Sequence, residues 1–254
     1  MDDISGIMID MDGTVYKGSE VIKGAPEFVE RLRKKEIPFV FLTNNSASDR
    51  KHYLNKLKKM EFDVTIDNIL TSATATFQYV AKHHGNAAVY PVGTPKFVEE
   101  AKAEGIRIVD HDPDIVLLAF DTTITYEKIN KAYDFIKKGA EFIATHPDDL
   151  CPTEDGYDVD IGPFIRFLES MTGVKATVIG KPNKLMIEMA AEKMNVRKEG
   201  LVMIGDRLYT DIKMASDNRI RSILVLSGET KKEDLDNSNV HPSEVAGSID
   251  ELFR

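Results

Sequence analysis

The chain has 254 residues, 42% of them hydrophobic and 30% charged. That is enough apolar material for one or two packed cores and too much for a disordered chain. Its 33 Lys and Arg stand against 42 Asp and Glu, a net charge of −9, which excludes a general nucleic-acid binder because such a protein needs a basic face to release counterions.

An anionic small-molecule substrate stays open, since a metal and one Lys can reverse the field locally. The lone cysteine, Cys151, excludes an internal disulfide and a Cys-based zinc cluster. Between Leu150 and Pro152 it reads as a small apolar filler and not a nucleophile. No apolar run has the length of a membrane span. The start, Met1-Asp2-Asp3, is acidic where a signal peptide is basic. The expectation is a cytoplasmic protein with no membrane partner.

In chain order, Ile7-Met8-Ile9 reads as a strand. Residues 25–35 read as a helix, with Pro26 in its first turn and Phe28, Val29 and Leu32 on one face. Phe39-Val40-Phe41-Leu42 is continuously apolar, as in a strand covered on both faces. Residues 49–60 form a helical pattern with Tyr53, Leu54 and Leu57 as its stripe. The middle, roughly 76–178, carries its own set, with strands at 88–90, 106–108, 115–118 and 142–144 and helices at 95–104, 126–138 and 163–171. Then come a strand end at Val178-Ile179, a helix at 184–194, a strand at 202–204, a helix at 211–217 and a strand at 223–226. This alternation predicts α/β architecture with a parallel sheet covered by helices on both faces. Residues 1–76 and 179–254 are expected to form one Rossmann-like core, with 77–178 as an inserted α/β domain.

Chemistry concentrates where strands end. Asp10-Met11-Asp12-Gly13-Thr14 follows the first strand. Residues two apart on extended chain point to one side, so Asp10 and Asp12 project together where open α/β sheets bind ligands. Gly13 lets the chain turn away. Paired carboxylates call for a cation, and Mg²⁺ accepts one or two of them beside phosphate and water. An acidic surface turn is the plain alternative. Gly205-Asp206 with Asp211 follows another strand and completes a carboxylate cluster, although Asp211 would also suit any helix start. Thr43-Asn44-Asn45-Ser46 suits a phosphate oxygen or an ordinary helix cap. Gly180-Lys181-Pro182 places a Lys that is either solvated or set against those carboxylates.

Each later piece is weak alone, but their order is specific. The four motifs spanning residues 10–211 resemble, in family order, those of the haloacid-dehalogenase-like (HAD) superfamily of aspartate-nucleophile phosphatases. Gly93-Thr94-Pro95, the run from Asp121 to Lys128, Pro152-Thr153-Glu154-Asp155-Gly156 and Gly205-Asp206-Arg207-Leu208 resemble its NagD-like branch and extend the likeness to nearly the whole chain. The 138 positions between Thr43 and Lys181, against 31 between Asp12 and Thr43, place the insertion after the Thr motif, as in that branch with its C2-type cap. His146-Pro147-Asp148 stands where relatives commonly have Asn-Pro-Asp, and the stretch from Asp158 to Gly162 also departs.

The resemblance implies a Mg²⁺-dependent phosphatase acting on a small-molecule phosphate monoester. Asp10 is then the nucleophile and Asp12 the general acid/base. Thr43, Asn44, Asn45 and Lys181 bind the phosphoryl group. Asp10, Asp12 (through its carbonyl) and Asp206 hold the metal, with Gly13, Thr14 and Asp211 supporting. A cap is implied to close over the site and choose the leaving group, with His146, Asp148 and Asp160 as specificity candidates. A homo-oligomer through the cap stays open, as do transfer to an acceptor alcohol and phosphate binding without turnover. Met186, Met189 and Met194 read as core stripe, His83 and His84 as a helix end, and residues 229–236 as a solvated charged stretch.

Overall fold

A computed structural model describes residues 4–153 and 156–252. The Met1-Asp2-Asp3 start and Glu154-Asp155 of the Pro-Thr-Glu-Asp-Gly motif lie outside the described residues. The chain separates into two compact units. The first holds the chain up to Thr43, Arg50–Leu70 and the chain from Lys181 onward. The second holds Asn44–Asp49 and Thr71–Gly180.

The first unit is built on a six-stranded sheet in the order Glu244–Ala246, Arg221–Val225, Leu201–Gly205, Gly6–Asp10, Phe39–Thr43 and Ile69–Thr71. The first five pair in parallel. Gly6–Asp10 is buried at every position, which explains its unbroken apolar run. The helix Ala25–Lys34 starts with a Pro in its first turn, carries Glu27 there and basic residues in its last turn, and buries Phe28, Val29 and Leu32. The helix Lys184–Met194 is capped by the Asn183 side chain and stops at Asn195 in the left-handed region. Between the helix Ala25–Lys34 and the sheet lies one apolar cluster including Ile7, Ile9, Phe28, Phe41, Leu57 and Ile204.

The second unit has its own five-stranded parallel sheet, ordered Thr177–Val178, Glu141–Ala144, Ile115–Leu118, Ala88–Val92 and Arg107–Ile108. The helices Pro95–Ala103 and Tyr126–Lys137 begin at Thr94 and Thr125, whose hydroxyls accept the amides of Phe97 and Lys128. A two-stranded hairpin, Leu150–Thr153 with Gly156–Val159, lies outside that sheet.

Two elements differ from expectation. The strand before Lys181 belongs to the second unit's sheet, where Thr177 pairs with Ile143 and Val178 with Ala144. Two apolar residues carry no information about which sheet they join. The segment Asn44–Asp49 also goes with the second unit. It runs past the carboxyl ends of three of that sheet's strands, held by a residue following each of the three. Thr94 Oγ1 donates to Ala47 O at 3.0 Å, the Phe120 amide to Ser46 Oγ at 2.9 Å, and Ser46 Oγ meets Thr145 Oγ1 at 3.0 Å.

The core makes one prediction. Phe41 is fully buried and packs edge-on against Phe39 and Phe62, with ring centroids 5.8 and 5.9 Å away. Phe41→Ala should cost ~3–5 kcal/mol, the range for emptying an aromatic core site. A urea titration should show it as a lowered midpoint at unchanged slope, and a loss under 1 kcal/mol would count against this core assignment.

Candidate active site

Three adjacent strands of the first unit end together. Asp10 closes the central strand, Thr43 closes one neighbour, and Asp206 follows Gly205 on the other. The register sets Asp10 beside Leu42 and Ile9 beside Ile204, so all three residues leave the sheet at one level. After Asp10 the chain folds back tightly, with the Gly13 amide donating to Tyr16 O at 2.7 Å and Asp12 bridging to Tyr16. Gly13 is required there twice over. Its φ is +88°, and a Cβ would overlap the Asp206 carboxylate.

Lys181 is 3% exposed. Its Nζ donates to Asp10 Oδ1 and, at 2.7 Å, to Asp211 Oδ1. Asp211 does not open a helix as the sequence suggested. It lies fully buried inside a π-helical turn, Leu208–Ile212, that precedes the helix Lys213–Asp217. Such turns recur at functional sites, and this one carries Asp211 onto Lys181. The other Asp211 oxygen accepts the Arg207 amide at 3.2 Å.

Charge explains the titration of the cluster. The carboxylates of Asp10, Asp206 and Asp211 outnumber the cations Lys181 and Arg207, and Arg207 is shared with Glu229, so the cluster is net negative. Burial, with help from Asp211, pushes the Asp10 carboxyl up to about 6 against the pull of Lys181 and Arg207. Burial together with Asp10 and Asp211 holds Asp206 well above the usual carboxylate range. Burial alone would lower Lys181, yet the attraction of Asp10 and Asp211 raises it. Asp12 is also raised by burial, opposed by Lys56 and Arg207.

Asp10, Asp206 and Asp211 each offer a carboxylate oxygen within 4.8 Å of the others. Asp206 Oδ1 is buried without a hydrogen-bond partner. An all-oxygen, net-negative donor set with an orphaned carboxylate oxygen fits a hard divalent cation. Thr14 is fully buried beside this turn, its amide donating to Met11 O at 3.2 Å.

The remaining predicted residues lie in the second unit and hold one another. Asn44 Nδ2 donates to both oxygens of Asp148, at 3.0 and 3.2 Å. Asn45 turns its amide into its own loop, accepting from the Ala47 amide at 3.0 Å and donating to Cys151 Sγ at 3.3 Å. His146 is fully buried, with Nδ1 on Thr145 Oγ1 and Nε2 on Asp160 Oδ1, both at 2.9 Å. His146, Asp148 and Asp160 also lie within metal-ligating distance of one another. Both ring nitrogens of His146 are committed to protein partners, which marks a buried polar network and not a second metal site.

Some residues of the site escaped the sequence reading. Arg207 sits at 3.0 Å from Glu229 through Nε and Oε2 and bears on both Asp10 and Asp12. Lys56 stands 3.7 Å over the Tyr16 ring beside Asp12. Glu229, expected in a solvated stretch, donates its amide to Asp206 Oδ2 at 2.6 Å. The missed signal was position, since Ser227-Gly228-Glu229-Thr230 follows the Arg221–Val225 strand as the other motifs follow theirs.

Known proteins bear out the class. The profile of the family described as haloacid dehalogenase-like hydrolase matches residues 7–107, and that described as HAD-hydrolase-like matches 178–252. The chain is 33% identical over 237 residues to an acid sugar phosphatase of Staphylococcus epidermidis, covering 93% of this chain and 92% of that one. It is 32% identical to the 5'-nucleotidase YutF of Bacillus subtilis, covering 97% and 96%. Among solved structures, a 4-nitrophenylphosphatase from Thermotoga maritima superposes with a TM-score of 0.95 at 41% identity, covering 99% of this chain and 97% of that one. NagD from E. coli superposes at 0.90 and 30% identity, covering 98% of each. The chain is a haloacid dehalogenase-like hydrolase. Within that superfamily it belongs to the NagD-like phosphatases, which are phosphoric monoester hydrolases. Among the described residues no helix is long and apolar enough to cross a membrane.

Two predictions follow from these geometries. Asp10 has a higher pKa folded than its unfolded value of 3.8, so the native state holds the extra proton between about pH 4 and 6. Stability of the metal-free protein should therefore fall by roughly 2–3 kcal/mol as pH rises through that window. Melting in EDTA across it should show the slope, and Asp10→Asn should reduce it, leaving what the raised Asp12 and Asp206 contribute. In the second unit, Asp148→Ala removes the acceptor of a buried amide and should cost ~1–3 kcal/mol. Asp148→Asn should recover part of it, and equal urea midpoints for all three proteins would contradict the pairing.

Proposed function

We propose that the enzyme is a Mg²⁺-dependent phosphomonoesterase that works through an aspartyl-phosphate on Asp10. The observation that carries this is a buried carboxylate, Asp10, hydrogen-bonded to Lys181 and clustered with Asp206 and Asp211, with a second carboxyl of raised proton affinity, Asp12, two residues on.

In the first step an Asp10 oxygen attacks phosphorus and the phosphorus–oxygen bond to the leaving group breaks. Asp12 gives its proton to the departing alkoxide. In the second step water attacks the same phosphorus, Asp12 takes its proton, and phosphate leaves with Asp10 restored. The Thr43 hydroxyl, the Asn44 backbone N–H and Lys181 stabilise charge on the transferring phosphoryl. Asp10, Asp206 and the Asp12 carbonyl would hold Mg²⁺, with Asp211 supporting through Lys181 and the Arg207 amide. The ion, when bound, neutralises the excess negative charge so that a dianionic phosphate can approach.

Relatives named for sugar phosphates and for 5'-nucleotides support a sugar phosphate or nucleoside monophosphate as substrate. The acidic residues Asp148, Asp149, Asp158 and Asp160 in the sequence support a neutral, hydroxyl-rich leaving group over an anionic one. Asp149 and Asp158 are exposed, whereas His146, Asp148 and Asp160 are buried. A cytoplasmic location accords with the composition.

Inorganic phosphate release from p-nitrophenyl phosphate, dependent on added Mg²⁺ and abolished by EDTA, tests the reading directly. Its absence in the wild type would overturn it. Asp10→Asn should be inactive while remaining folded. Asp12→Asn should lose more rate on alkyl than on aryl phosphates, because the poorer leaving group needs the proton. Equal losses would remove Asp12 from the acid role.

A further inference from the structure

The chain leaves the Arg221–Val225 strand and doubles back around Asp206. Ser227 Oγ donates to Gly13 O at 2.8 Å. The Glu229 amide donates to Asp206 Oδ2 at 2.6 Å, and the Thr230 amide to Asp206 O at 3.2 Å. Gly228 comes so close that a Cβ there would overlap the Asp206 carboxylate, as one at Gly13 would from the other motif. The Glu229 side chain is tied in turn to Arg207, at 3.0 Å. Asp206 itself is 1% exposed, and its second oxygen, Oδ1, is buried with no partner.

One carboxylate oxygen is thus committed and enclosed, and the other is left to ligate. That distinction matters between cations. Ca²⁺ takes about six to eight oxygens at roughly 2.3–2.6 Å and often engages a carboxylate through both. Mg²⁺ demands an octahedron at about 2.0–2.1 Å and takes a carboxylate through one. We propose that the Ser227–Thr230 turn is part of the metal site, and that by locking Asp206 Oδ2 between Gly13, Gly228 and the Glu229 amide it forces one-oxygen ligation and selects a small octahedral cation against Ca²⁺. Ser227, Gly228 and Glu229 are positioning residues that act through Asp206. This rests on the reading of Asp206 as a metal ligand made above.

The test is calorimetric titration of the metal-free full chain with Mg²⁺ alone and with Ca²⁺ alone, without substrate. Asp206→Asn should abolish Mg²⁺ binding. Gly228→Ala, which pushes a methyl group into the carboxylate, should weaken Mg²⁺ at least tenfold. Ser227→Ala, which removes one hydroxyl and keeps the test open if Gly228→Ala fails to fold, should weaken it three- to tenfold. In both variants the affinity ratio should shift toward Ca²⁺ by at least threefold, a change that general loss of structure would not produce. Mg²⁺ and Ca²⁺ affinities within twofold of wild type in both variants, with Asp206→Asn dead, would overturn the proposal while leaving the metal reading intact. Equal weakening of both ions would overturn the selectivity. Wild-type Mg²⁺ affinity in Asp206→Asn would bring down the metal reading and the proposal with it.

Discussion

A surplus of negative charge, buried where three parallel strands end, governs this molecule. The cations set against Asp10, Asp206 and Asp211 are Lys181 and Arg207, and Arg207 also serves Glu229. Charges taken out of water cost free energy unless they are compensated. The fold answers with a Lys buried between two of the carboxylates, a backbone amide on the third, and glycines where any side chain would collide. What remains uncompensated is the part available for chemistry. The same arrangement leaves the metal-free protein with buried, uncompensated charge at neutral pH, which a bound cation would relieve.

The fold can concentrate charge this way because a parallel sheet brings all its strand ends to one edge. No residue of the cluster is near all the others in sequence. Asp10 ends the first strand and Asp12 lies just beyond it, Thr43 ends the second, Lys181 comes from a turn entering a helix, Asp206 precedes a π-helical turn and Asp211 lies within it. The packing that holds this edge level is the apolar cluster beneath it, in which Ile9, Phe41 and Ile204 come from the three adjacent strands.

Much of this was legible in the sequence. The strand at residues 6–10, the helices at 25–34 and 184–194, and the middle set of strands announce themselves through apolar periodicity, which burial on one face or both imposes. The Asp-x-Asp-Gly-Thr turn stood out because two carboxylates two apart at a strand end repel unless a cation or a proton intervenes. The fate of Thr177–Val178 was not legible, since two apolar residues fit either sheet. Nor was the pairing of Asn44 with Asp148, 104 positions apart. Glu229 was hidden for another reason. Its contribution to Asp206 is made by its main chain, and a backbone amide has no letter in a sequence.

The segment Asn44–Asp49 has a consequence for how this architecture is exchanged between proteins. The carboxyl edge of an α/β sheet ordinarily holds a ligand. In the second unit that edge is filled by six residues of the chain itself, bonded to Thr94, Phe120, Thr145 and Asp148. An insertion is usually taken to be portable as one continuous stretch. Here the stretch Thr71–Gly180, moved alone, would arrive with its crevice open and the partners of Ser46 and Ala47 exposed to water. Grafting it onto another core would require carrying the short strap as well, so the portable module is two pieces of chain.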